Sequence, residues 1–224
     1  MFFQVVFIAL LALLPMVNPP TTATLLLGLS KGMSREHVRR QINLAAIYLF
    51  ATLCVSFFIG SSILDLFGIS IPGLRLAGGL IIAFIGFRML FPAPSQAAGV
   101  DINQSIAFVP LTMPSMCGPG TMALVISGAA QIAELPDEYN RFVIYAAMVT
   151  AFALMSLLSW GVLKLADPVC KILGATGIDA MTRIMGFLLV CMGMQFCING
   201  IKEVAQDPVF HGGGAVQSTP ALPQ

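Results

Sequence analysis

Two short clusters of proline, glycine and small polar residues recur in this chain at the same spacing. The first occupies residues 14–22 and the second residues 113–121, an offset of 99 positions, and both lie within long apolar stretches. Proline has no amide N–H and clashes with the preceding helical turn, so each cluster is predicted to interrupt a helix and free backbone carbonyls and amides. The matched residues are Pro15 with Pro114, Pro20 with Pro119, and Thr22 with Thr121.

The side chains around both clusters are uncharged, which limits the chemistry they can perform. Hydroxyl and amide groups beside exposed backbone suit a small neutral or zwitterionic solute better than a strongly charged one. A half-helix that starts after Pro20 or Pro119 turns free amides and its positive dipole end toward the break, where they can hold a carboxylate without an arginine. The alternative is that the prolines only kink their helices. The predicted substrate-binding residues are Asn18, Thr21, Thr22, Cys117, Gly118, Gly120 and Thr121.

Other kinds of site are not indicated by the residue types. The five cysteines are odd in number and include no C-x-x-C pair, and the two histidines lie in a basic loop and a polar tail. Every carboxylate falls at or beyond the end of an apolar stretch, so no proton relay of buried acids is visible. We therefore predict no catalytic group, no metal site and no cofactor. Any ion coupling would use backbone carbonyls and hydroxyls, or Asp65 and Asp179 from the span ends.

The composition places both clusters in a bilayer. Of the 224 residues, 58% are hydrophobic and 9% are charged, and the mean hydropathy is +0.92. A helix needs about 20 apolar residues to cross the hydrocarbon core, and six stretches are long enough. The first of these stretches is expected to remain as a span rather than act as a cleaved signal peptide, because no Lys or Arg precedes it and no A-x-A-like cleavage site follows it. The predicted spans are 3–28, 40–64, 71–91, 104–128, 141–163 and 180–201.

A second repeated motif indicates that the chain is duplicated. Residues 75–78, which begin with Arg75, match residues 183–186, and residues 67–70 resemble residues 176–179. Three spans per unit is an odd number, so the second unit must enter the membrane from the opposite side, as in many secondary transporters. The predicted fold is an all-α membrane protein of six transmembrane helices in two inverted repeats, with broken first and fourth helices. Its parts are 1–91, a linker at 92–103, 104–202, and a disordered tail at 203–224.

The distribution of Lys and Arg predicts the orientation. If the N-terminus is outside, eight basic residues lie in or near the inner connections and three near the outer ones, so both termini are predicted to be outside. The inner residues are Lys31, Arg35, Arg39, Arg40, Arg88, Lys164, Lys171 and Arg183, and the outer ones are Arg75, Arg141 and Lys202.

Several residues are expected to serve structure rather than solute binding. Arg75 and Arg183 are read as interfacial anchors that extend toward head groups; the alternatives are that they neutralise helix C-terminal carbonyls or meet a substrate carboxylate. The basic cluster around Arg35 is expected to set topology and contact anionic lipid. Small residues in the third and sixth spans predict close helix contact: Gly78, Gly79, Ala83 and Gly86 in the third, and Gly186 and Gly193 in the sixth.

Three stretches, in order, resemble the MarC family of bacterial inner-membrane proteins: residues 68–92, the motif P-S-M-C-G-P-G-T at 114–121, and residues 183–200. The resemblance covers residues 3–202. It implies six spans in a bacterial inner membrane, with both predicted outer termini in the periplasm. It also implies kinship with neutral amino acid transporters that act on small substrates such as alanine and glycine. Thr21 departs from the family's N-P-x-G motif, because it stands at the Gly position and would narrow or alter the pocket.

Together these observations predict a secondary transporter of a small neutral or zwitterionic solute such as a neutral amino acid. Its expected partners are that solute and the lipid bilayer, and no nucleic acid. A channel, a membrane-embedded enzyme and a non-transporting assembly or lipid-binding protein are the alternatives. We predict that the protein is not an enzyme, since no acid–base pair or redox cysteine pair is visible in the spans.

Overall fold

The computed structural model describes residues 2–30, 33–91, 105–133, 135–136 and 140–206, and every regular element within them is helical. The predicted all-α class is therefore confirmed. Within these residues, five stretches are long and apolar enough to cross a membrane: α1 with α2, α3, α4, α6 and α7; α5 is apolar but shorter. The six-span inverted repeat stays a prediction. The elements are α1 Phe2–Val17, α2 Pro19–Leu29, α3 Arg35–Leu66, α4 Ile71–Leu90, a π-helical segment Ala107–Met116, α5 Pro119–Ala133, α6 Arg141–Lys164 and α7 Ala166–Gln206.

The first predicted span is interrupted at Asn18, between α1 and α2. Asn18 has φ 41° and ψ 64°, in the left-handed region that asparagine tolerates better than most residues. The two prolines that follow, Pro19 and Pro20, occupy the first turn of α2, where missing amides cost little. Pro19 also disfavours the right-handed helical conformation at Asn18. Pro15, by contrast, remains inside α1, so the break comes from the later prolines.

The second interruption is longer and is irregular over the whole π-helical segment. Val109 (φ −121°, ψ 123°) and Met113 (φ −114°, ψ 127°) are extended, and each directly precedes a proline. The ring of a proline excludes the helical conformation from the residue before it. A third irregular residue, Cys117, with φ −126° and ψ 70°, ends the segment just before α5 begins.

A side chain of α3 and one of the segment itself satisfy backbone groups in this irregular segment. The Gln41 Oε1 atom accepts hydrogen bonds from the Ala107 amide at 2.9 Å and from Ser105 Oγ at 3.0 Å. Thr112 Oγ1 lies 2.7 Å from the Ala107 carbonyl oxygen and 3.2 Å from that of Ala45. Gln41 and Thr112 are both buried. Buried backbone N–H and C=O groups need hydrogen-bond partners. These two side chains supply partners that a regular helix would provide through its own backbone.

The packed core lies among α2, α3, α5, α6 and the π-helical segment. Leu26, Leu49, Leu53 and Leu111 are almost fully buried there. Phe57 of α3 meets Phe152 of α6 edge-on, with ring centroids 5.5 Å apart. This core fixes the positions of the two helix breaks relative to each other.

Helices α4 and α7 make the most extensive helix–helix contact, and glycines allow it. A Cβ atom at Gly79 would lie 2.6 Å from the Gly193 carbonyl oxygen, and one at Gly86 would lie 2.6 Å from that of Gly186. Neither distance leaves room for a side chain, so the two backbones touch directly. The predicted packing role of these four glycines is confirmed.

The last helix differs from the sequence prediction at both ends. The predicted span 180–201 lies inside α7, which is interrupted at Gly174 (φ 64°, ψ 173°). Gly174, rather than Gly177, has the same positive φ as Gly68. At the other end the helix includes residues 203–206, which were assigned to a disordered tail, because Glu203 pairs with Arg75 of α4. The rest of that tail, 207–224, and the linker 92–103 lie outside the described residues.

Candidate functional site

The two helix breaks meet and enclose a small cavity. The hydroxyl groups of Thr22 in α2 and Ser115 in the π-helical segment are 2.8 Å apart and share a hydrogen bond. The cavity beside them has a volume of about 90 Å³. Its lining combines the polar residues of both breaks with apolar side chains of α4 and α7. The lining residues are Met16, Asn18, Thr21, Thr22, Ile85, Met89, Ser115, Gly118, Thr121 and Leu189.

The structure brings five of the seven predicted binding residues to this cavity. Asn18, Thr21, Thr22, Gly118 and Thr121 line it. The two that do not are Cys117 and Gly120.

Cys117 is fully buried in the hydrophobic core. Gly120 is buried against Met16 and Ile82, and a Cβ there would lie 3.1 Å from each of them. Both residues therefore shape the wall without facing the space. Whether any of the seven residues binds a ligand stays a prediction.

Asn18 is the most unusual polar residue at the cavity. Its exposed fraction is 6%, and its side chain makes no capping hydrogen bond to α2. The Nδ2 atom is buried and has no hydrogen-bond partner among the described residues. Leaving a buried donor unpaired costs about 1–3 kcal/mol. Asn18 lines the cavity while its unpaired nitrogen is turned away from the open space, so a side-chain rotation would bring this donor to a bound molecule.

Two helices begin at the cavity. In α5 the first intrahelical bond runs from the Met122 amide to the Gly118 carbonyl at 3.1 Å, so the amides of Gly120 and Thr121 precede it. The first two positions of α2 are prolines, and its first amide is that of Thr21. Helix N-termini have unpaired amides and a positive dipole end, which favour an anionic group. The site can hold a carboxylate without a basic side chain.

Ser115 and Thr182 belong to the same polar network, although neither was among the predicted binding residues. Ser115 lies within the second proline cluster, so its position in the sequence already indicated that it could lie near the cavity. Thr182 of α7 shares a 3.0 Å hydrogen bond with the Thr21 hydroxyl. Only the packing of α7 against α2 brings Thr182 to this place. Nothing in its sequence neighbourhood, apart from the adjacent Arg183, indicated it.

The two repeated arginines lie away from the cavity and have different surroundings. Arg75 is 6% exposed; its Nε donates to Ser127 Oγ at 3.1 Å and its Nη1 pairs with Glu203. The prediction of an interfacial anchor is wrong for Arg75, because Glu203 and Ser127 satisfy its charge inside the helix packing. Arg183 is about half exposed and donates to the Leu90 carbonyl at 3.0 Å. Its behaviour matches the alternative of neutralising a helix C-terminal carbonyl.

Uncharged groups line the cavity. The cavity lining contains hydroxyls, one amide and backbone groups, and none of the ten lining residues is ionisable near neutral pH. Within the described part of the chain, no group of three His, Cys, Asp or Glu side chains could hold a metal ion. Asp179, considered for ion coupling, pairs with Arg183 at 2.9 Å on the surface.

Comparison with known proteins identifies the family. A family model described as MarC family integral membrane protein matches residues 3–205. The chain belongs to the MarC family. It is 44% identical to the inner membrane protein MarC of Escherichia coli strain K12, over 90% of this chain and 96% of that protein, and the MarC protein of Shigella flexneri matches equally. No solved structure matches. This MarC-family protein is thus an integral inner-membrane protein.

Proposed function

We propose that this MarC-family protein is a secondary transporter that moves a small neutral or zwitterionic solute through the cavity between the two helix breaks. The decisive observation is the buried, unpaired Nδ2 atom of Asn18. Asn18 lines a neutral polar cavity at which two helices begin, and this nitrogen lies just behind the lining. A rotation of the Asn18 side chain would turn this donor into the cavity, where an acceptor atom of the solute would satisfy it.

The size of the cavity supports a solute of few atoms. Pockets for drug-sized ligands have volumes of about 300–1,000 Å³, whereas this cavity has about 90 Å³. The Thr21 and Thr22 side chains both occupy space at its wall. A small neutral amino acid is the first substrate to test, and larger metabolites would require the cavity to open.

The polarity of the lining supports a zwitterion. The amides at the start of α5 favour a carboxylate. The hydroxyl oxygens of Thr22 and Ser115, 2.8 Å apart, can accept hydrogen bonds from an ammonium group. Because no lining residue is charged, a solute with a net charge would enter without a counterion, which is costly.

The arrangement of α4 and α7 supports two inverted repeats of three spans, 1–91 and 104–202, and the Lys and Arg distribution supports periplasmic termini. Gly79 meets Gly193 while Gly86 meets Gly186. The two helices therefore pack antiparallel through matching small-residue faces. Alternating access by movement of one repeat against the other would open the cavity to each side in turn. Reporter fusions should place Ser95 in the cytoplasm and Gln224 in the periplasm; a cytoplasmic Gln224 would reject this topology.

The test is solute binding and counterflow with the purified protein. Glycine and alanine should raise the melting temperature, and proteoliposomes should show saturable exchange of the labelled solute. Asn18→Leu and Thr121→Val should each abolish both effects and leave the apo protein folded, because they remove polar contacts at the cavity without adding charge.

Matched controls are available on other helix faces. Asn199 is exposed and accepts a hydrogen bond from Gln195 of its own helix, and Thr150 bonds to the Ala146 carbonyl of its own helix. Asn199→Leu and Thr150→Val should bind and exchange normally. Normal exchange in both cavity variants would reject the proposed site. Flux that never saturates would indicate a channel instead.

A further inference from the structure

A second and larger cavity lies away from the helix breaks, where α2 ends, α3 begins and α6 meets α7. Its volume is about 690 Å³. Three cations line it: Arg35 and Arg39, one helical turn apart on α3, and Lys164 in the last turn of α6. Asp167 is the one carboxylate in the lining. The remainder is mostly apolar, so this basic cavity combines positive charge with a hydrophobic wall.

The charges of the three cations are not neutralised within the described part of the chain. Among the described residues, none of Arg35, Arg39 and Lys164 forms a salt bridge. Lys164 Nζ instead lies 4.3 Å from the ring centre of Trp160. The three cations outnumber the one carboxylate in the lining, and an anionic group among them would offset the excess positive charge. Guanidinium and ammonium groups together suit a phosphate.

An apolar groove of about 550 Å³ lies between α3 and α6, and two of its lining residues, Asn43 and Trp160, are one helical turn from Arg39 and Lys164 of the basic cavity. Trp160 lines the groove at the point where Lys164 covers its ring, and its Nε1 donates to Asn43 Oδ1 at 2.8 Å. From Arg39 to Phe50, the far lining residue on α3, is about 16 Å at 1.5 Å per residue. One leaflet of the hydrocarbon core is about 15 Å thick. The distance from the basic cavity to the far end of the groove thus matches an acyl chain in a single leaflet, and the groove itself, from Asn43 to Phe50, covers about 10 Å of it.

We propose that the basic cavity and this groove together form a binding site for one anionic phospholipid. Its phosphate lies between Arg35, Arg39 and Lys164, and one acyl chain lies in the groove beside Trp160. Charge complementarity selects an anionic over a zwitterionic lipid, and the groove selects a lipid over free phosphate. With the predicted orientation, the site faces the cytoplasmic leaflet, where basic pockets between helices bind lipid head groups. The proposal does not depend on transport.

The test compares the full-length protein in nanodiscs of phosphatidylcholine alone and of phosphatidylcholine with phosphatidylglycerol in equal parts. Phosphatidylglycerol should raise the melting temperature and remain bound in native mass spectrometry. The variant Arg35→Gln/Arg39→Gln/Lys164→Gln should bind it roughly 100-fold more weakly, since each cation near a lipid surface contributes about a factor of five. Ala153→Trp should also weaken binding, because it fills the groove while the charges remain.

The matched control removes three cations that do not line the cavity: Arg40→Gln/Arg88→Gln/Lys171→Gln. This control should keep the phosphatidylglycerol effect. An equal loss in the control would mean that only overall charge matters, and it would overturn the site. So would a wild-type protein that does not distinguish the two lipids, or a normal effect in Ala153→Trp. The melting temperature of each variant in phosphatidylcholine alone shows that it is folded.

Discussion

The two ends of the α4–α7 pair are built from the same motif but are held in different ways. At the Arg75 end, the arginine is buried and bonds to Ser127 of α5 and Glu203 of α7. At the Arg183 end, the arginine is half exposed and bonds to Asp179 of its own helix and to the Leu90 carbonyl. Between the two arginines, the Gly79–Gly193 and Gly86–Gly186 contacts are equally close.

The difference shows that the repeated arginine does not have a fixed role. Its surroundings depend on whether a third helix covers it, and α5 does so only at the Arg75 end. For a transporter built from inverted repeats, two matched residues in unlike surroundings are expected, because one end must be closed while the other is less tightly held. Under the proposed function, the Arg75 end is the closed side of the cavity.

The largest effect should follow from removing Glu203. Glu203→Gln leaves the buried Arg75 without its carboxylate, and breaking a buried pair costs about 3–5 kcal/mol. Glu203 itself is 35% exposed, so we expect about 3 kcal/mol, at the low end of that range. Unfolding in detergent measures it. Partial recovery in the Arg75→Gln/Glu203→Gln double variant would confirm that the single variant suffers from an uncompensated charge. If Glu203→Gln destabilised the protein no more than Asp179→Asn does, the Arg75 and Arg183 ends would not differ in how tightly they are held.

A smaller and equal effect is expected at the two glycine contacts. Gly79→Leu and Gly86→Leu should each destabilise the protein by about 1–3 kcal/mol, because the added side chain meets the backbone of α7. Gly161→Leu is the matched control, since no heavy atom lies within 4 Å of a Cβ there. Equal losses of stability in the two Leu variants, beside unequal losses at the two arginine ends, would confirm that the ends differ while the glycine contacts do not. If either Leu variant is as stable as the control, that contact is looser than the structure shows.

The sequence predicted those features that depend on neighbouring residues. Prolines act on the residue before them, which is why the breaks at Asn18 and before α5 were predictable from their positions. Glycines on one helix face likewise indicated close packing. The ion pair of Arg75 with Glu203 could not be predicted from the sequence, because the two residues are distant along the chain. It also depends on α7 extending beyond the last apolar stretch. Thr182 entered the cavity network for the same reason, through the tertiary packing of α7.

The smallest change in stability should come from the Arg183 end, where the pair is exposed. Arg183→Gln and Asp179→Asn should each alter the free energy of unfolding by no more than about 1 kcal/mol, the usual value of a surface pair, and by less at high salt. Under alternating access, however, this end must close when the Arg75 end opens, and Arg183 would then need partners as Arg75 does now. Counterflow in Arg183→Gln should therefore fall far more than its stability does. Arg88→Gln, an exposed arginine of α4, serves as the control. Normal counterflow in Arg183→Gln would show that the two ends do not exchange roles, and that the asymmetry is a permanent feature of the fold.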